Sequence, residues 1–157
     1  MTFIELQNEL ITEVERILKD IRSDNTDDEE IVGVKGYAHR LPITQSDEED
    51  AAQYFPYFIV RFNNAKTADD DDWWHVDTDI IIGIHDMALQ DGHEHVLIAI
   101  QRIVDRFAEQ PRMGNYRADQ DMQWAVAEDD TYPFYFGAVG ITFSAPKIGR
   151  KEMYDYV

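Results

Sequence analysis

An α+β domain is predicted from three features of the chain. Apolar residues recur at three- and four-residue steps from Phe3 to Ile21 and again from Val96 to Phe107, and between these stretches the chain alternates with a two-residue period. The expected order is α-β-β-β-α-β-β, with a mixed or antiparallel sheet, a long β-hairpin, and two amphipathic helices packed on one face. At 157 residues the chain has the size of one domain, able to bury roughly two-thirds of the surface its unfolded form exposes. We expect a single domain over residues 1–144 and a C-terminal arm over 145–157.

The first helix places Phe3, Leu6, Leu10, Val14, Ile17, Leu18 and Ile21 on one side, and Thr2 with Glu5 has the spacing of a capping box. It is expected to stop in the polar run Ser23 to Glu30. Ile31, Val32, Val34 and Tyr37 suggest one short strand, followed by a loop through Pro42 and the acidic run Asp47 to Asp50. Tyr57 to Asn63 and Trp73 to His85 read as the arms of the hairpin. The second arm would span roughly 40 Å, long enough for part of it to project. Asp91 and Glu94 again have capping-box spacing, and the second helix is expected to end before Pro111. Met122 to Glu128 and Phe134 to Ser144 supply the last two strands. From Ala145 onward periodicity is lost, and Lys147, Arg150 and Lys151 stand beside Tyr154 and Tyr156.

The formal net charge is −18, with 14 Lys and Arg against 32 Asp and Glu. Such a balance argues against gripping nucleic acid, because phosphate neutralisation needs clustered basic residues. No apolar run reaches the length of roughly 18 residues that a membrane helix requires. The absence of cysteine fits a reducing compartment.

Candidate sites compete with plainer explanations. The acidic runs lack the alternating carboxylate-and-glycine spacing of a calcium loop and read as solvated loops. His93 and His95 open a helix, where residues two apart point in different directions and cannot share one zinc. His75, Asp77, Asp79 and His85 share the polar side of the long strand and form the most enzyme-like group in the chain. A solvated sheet face or a subunit interface explains the same pattern. Trp73 and Trp74 follow an acidic tetrad, so one should pack inward while its neighbour faces solvent or a partner. Trp73, Trp74, His75, Asp77, Asp79, Tyr154 and Tyr156 are the candidate interface residues. No catalytic, cofactor-binding or metal-binding residues are assigned.

The order of elements resembles the phage tail terminator and tail-completion proteins, the family that includes the terminator of lambda-like siphophages. The resemblance is carried by the helix Phe3 to Ile21, the hairpin from Pro56-Tyr57-Phe58-Ile59-Val60 to Asp79-Ile80-Ile81-Ile82-Gly83-Ile84, the helix Val96 to Phe107 and the strand Phe134 to Phe143. It implies a homo-oligomer, a hexameric ring, that caps a finished tail tube, stops its growth and joins it to the head connector. The implied partners are further copies of the chain, the tail tube protein and the head-tail connector proteins. The implied place is the virion tail, or the host cytoplasm during assembly, and nucleic acid is passed and not bound. Two other functions compete: an acidic DNA mimic that inhibits a DNA-binding enzyme, and a metal-dependent hydrolase built on His75, Asp77, Asp79 and His85.

Overall fold

The computed structural model describes residues 2–24, 30–42, 51–67 and 73–148. The acidic runs Asp47 to Asp50 and Asp69 to Asp72, and the tyrosines Tyr154 and Tyr156, lie outside the described residues.

The fold is α+β, and its major elements follow the expected order. Helix α1 spans Phe3–Ile17, and its capping box is complete: Glu5 N–H donates to Thr2 Oγ1 while Thr2 N–H donates to the Glu5 carboxylate. The helix ends earlier than its apolar period, at cap residue Leu18. Leu18 and Ile21 remain buried in the turn that follows, so the core pattern continues where the helical backbone does not.

The single strand expected around Ile31 to Tyr37 is two strands. Gly33 adopts φ +93 and breaks the run. Strand β1 (Arg22–Asp24) and strand β2 (Glu30–Val32) form a small antiparallel pair. Strand β3 (Lys35–Ala38) joins the main sheet parallel to β4 (Tyr57–Lys66), which makes that sheet mixed. A 3-10 turn, Ala51–Tyr54, leads into β4.

Strand β5 (Trp73–His85) pairs with β4 on one side, and with β8 (Phe134–Pro146) over its full length on the other. It therefore does not project as a free ribbon, because β8 supports it to its first residue. Strand β8 also continues through Ala145 and Pro146, past the expected boundary at Ser144, with Ala145 buried opposite Trp74. Helix α2 spans Glu94–Glu109. The predicted Asp91 capping box is absent: His93 is the cap residue, with no side-chain cap bond, and Glu94 N–H donates to the Asp91 carbonyl. A backbone turn enters this helix, so no extended cap residue is available to reach back. Strands β6 (Arg112–Met113) and β7 (Tyr116–Val126) complete the sheet order β3-β4-β5-β8-β7-β6.

Both helices pack on one face. Leu6, Leu10 and Val14 of α1 and Val96, Ile100, Ile103 and Phe107 of α2 meet Phe58, Val60, Ile80, Ile82, Val139, Ile141 and Phe143 in one core. Glycines let the helices approach the sheet: a Cβ at Gly137 would lie 2.7 Å from Val96 Cγ1 of α2, and one at Gly36 would lie 2.9 Å from Ile11 Cγ2 of α1. Glu13 ties the helices together by accepting from Arg106 Nε at 2.8 Å and pairing with Arg16. These two guanidinium groups, Arg16 first, hold its carboxyl below the usual glutamate value despite partial burial.

Candidate functional site

The face of the sheet turned away from the helices is divided across its length. At one end Phe55 packs edge-on or tilted against Tyr57, Phe134 and Phe136 at centroid distances of 4.8, 4.9 and 5.7 Å, beside Ile59 and Ile81. At the other end the same strands present polar side chains. The aromatic end was not anticipated as a second core. Its signal is the unbroken apolar run Tyr57 to Val60, which requires burial on both faces of the strand.

The polar end places His75, Asp77 and Asp79 on one face of β5 at two-residue steps, as expected. Each is engaged by a neighbouring strand. Thr142 Oγ1 donates to Asp77 Oδ1 at 2.8 Å, and Asn63 Nδ2 donates to Asp79 Oδ2 at 2.8 Å. Ser144 Oγ donates to Asp119 Oδ1 at 3.0 Å and lies 3.3 Å from His75 Nδ1, which is itself 3.7 Å from Asp119 Oδ2. Arg61 is the register partner of Asp79, yet its guanidinium donates to the His39 carbonyl. Around this row lies an open depression of about 450 Å³ lined by Asn63, Asp77, Asp79, Asp121, Gln123 and Thr142.

The Ser144, His75 and Asp119 group does not have the geometry of a nucleophilic relay. In such a relay the hydroxyl and the carboxylate contact different imidazole nitrogens, so that the ring can carry a proton between them. Here both approach Nδ1, and Ser144 Oγ lies closer to Asp119 than to the ring. Among the described residues no group of three His, Asp or Glu side chains gathers to hold a metal ion. The arrangement is a cross-strand polar lattice whose carboxylates face outward.

His85, the fourth member of the enzyme-like set, is separated from the other three. It is buried against Phe134 at 5.0 Å between ring centroids, at the aromatic end. His93 and His95 diverge as helical spacing requires: His93 is exposed at the start of α2, while His95 Nδ1 lies 3.0 Å from Asp86 Oδ2. The two tryptophans divide as predicted. Trp74 packs edge-on against Phe3 with centroids 5.7 Å apart, and Trp73 is 40% exposed.

Sequence reading missed Asn63, Asp119, Asp121, Thr142 and Ser144. They enter the site only through the pairing of β4, β7 and β8 with β5, and a single-strand period carries no information about register between strands. No protein-family model matches the chain, and no curated protein matches it either. Among the described residues, no helix is long and apolar enough to cross a membrane.

Proposed function

We propose that the chain is a structural assembly protein of a phage tail, a ring-forming subunit that caps the tail tube and joins it to the head connector. The observation that carries this reading is the division of the sheet into a helix-packed face and an opposite face whose polar end is acidic and uncovered among the described residues. At this polar end Asp77, Asp79 and Asp119 stand without catalytic geometry, each accepting a hydrogen bond from a neighbouring strand, and Asp121 lines the depression beside them. A subunit of a ring around a DNA channel needs such a face: ordered, hydrated and repellent to phosphate. The resemblance of the element order to that of the tail terminators supports the same reading. The metal-dependent hydrolase finds no support in the site, because among the described residues no three His, Asp or Glu side chains gather as a ligand set and His85 lies at the aromatic end.

The direct test is complementation of tail assembly. Particles assembled without the chain should carry tubes of uncontrolled length lacking heads, and adding the purified protein should restore a defined end, seen by electron microscopy. Tubes of normal length joined to heads in its absence would refute the role.

A further inference from the structure

We propose that the two edges of the main sheet left uncovered by the described residues pair with each other between copies, so that β4 of one copy and β7 of the next continue a single sheet head to tail. This interface presupposes the ring proposed above and supplies its contact.

Each edge is covered over only part of its length. Strand β3 pairs with Tyr57 to Val60, and His39 N–H donates to the Val60 carbonyl at 2.9 Å. From Arg61 to Lys66, no strand among the described residues flanks the outer side of β4. At the opposite edge, β6 meets Tyr116 and Arg117, and Ala118 N–H donates to the Pro111 carbonyl. Residues 119–126 then have no outer neighbour among the described residues. Rows of unpaired N–H and C=O groups of this kind are templates for strand addition.

The two edges carry opposite charges. The open stretch of β4 holds Arg61 and Lys66 and no acid. The open stretch of β7 holds Asp119 and Asp121 and no base. Like edges brought together across a two-fold axis would set base against base or acid against acid. Unlike edges match, and a heterologous contact is the kind that closes into rings.

The topology fixes direction and approximate register. Strands β4, β5, β8 and β7 are successively antiparallel, so β7 runs opposite to β4. Copies related by rotation about an axis along the strands keep these directions, and β7 of the next copy meets β4 in antiparallel pairing. Strand β3 already occupies the edge up to Val60, so the end of the incoming β7 reaches no further than Arg61. Lys66 pairs with His75 and so belongs to the bare face, and Asp121 lines the depression on that face. This register places Asp121 within one diagonal step of Lys66, inside the reach of a lysine side chain. On the helix face, Trp124 and Val126, 55% and 45% exposed, come under α1 of the neighbour, where Ile4 is 69% exposed. That side of α1 overlooks β4, because Gln7, one turn from Ile4, donates to the Val60 carbonyl at 2.8 Å.

The test uses charge reversal in the full chain, with assembly followed by light scattering and the fold by circular dichroism. Lys66→Glu and Asp121→Lys should each raise the concentration at which the oligomer forms by about tenfold, and the double variant, or an equimolar mixture of the two single variants, should restore it. Assembly unaffected by either reversal would place the contact elsewhere and leave the ring standing. A wild-type chain that stays monomeric would remove the ring and this interface together, with the edge charges serving only to block pairing. The chain has no cysteine, so Asn64→Cys offers a second reading. Disulfide-linked dimers of that variant would show β4 pairing with β4 and overturn the proposal, whereas no cross-link is expected from the head-to-tail contact.

Discussion

The two faces of strand β5 are made by alternate residues of one segment, yet they are built on different physics. Val76, Ile80, Ile82 and Ile84 are fully or almost fully buried under the helices. His75, Asp77 and Asp79, between and before them, are held by hydrogen bonds across strands and stay partly in water. The first face supplies folding energy through area removed from water. The second contributes little to stability, because exchanging water for a protein donor at a half-exposed carboxylate nearly balances. A surface that stabilises little but is held in defined geometry is suited to a partner or a channel.

That contrast is sharpest under substitution. Ile80→Ala, at a fully buried position, should cost about 3–4 kcal/mol in urea unfolding, from lost transfer energy and the cavity left behind. A cost below about 1 kcal/mol would mean that the helix face is not the core. Gly137→Ala should cost about 1–3 kcal/mol, because the new methyl group would be forced against Val96 and Ile100 and would lift α2 from the sheet. Thermal melts compared with an exposed alanine substitution would measure it.

Glu13→Gln should cost about 1 kcal/mol at neutral pH by weakening the tie to Arg106. The folded pKa of Glu13 lies below its ordinary value of 4.5, so its contribution is present above that value and is lost as pH falls through the folded pKa. Wild type and variant should therefore converge in urea midpoint on acidification, and a gap that persists at low pH would assign the effect to packing. Asp77→Asn and Asp79→Asn should each change stability by less than about 0.5 kcal/mol, in either direction, since the amide keeps its partner and relieves like charge. A large loss would place the bare face among the determinants of the fold.

The helix-packed face was legible in the sequence, and the bare face only in part. Leu6, Leu10 and Val14, or Val96, Ile100 and Ile103, announce themselves by spacing within a single element. His75, Asp77 and Asp79 were recognisable for the same reason. Their partners Thr142, Ser144, Asp119 and Asn63 were not, because those contacts depend on how β4, β7 and β8 are registered against β5. The division of the expected strand at Gly33 turns on one positive φ, which composition suggests but does not compel. The end of α1 was misplaced because Leu18 and Ile21 serve the core from a turn as well as from a helix.

The most direct measurement is the mass of the purified chain by light scattering after size exclusion, across protein concentration and at moderate salt to screen repulsion between subunits. A ring subunit should give a defined species near six times the 18.3 kDa chain mass. A monomer at every concentration and salt would contradict the account.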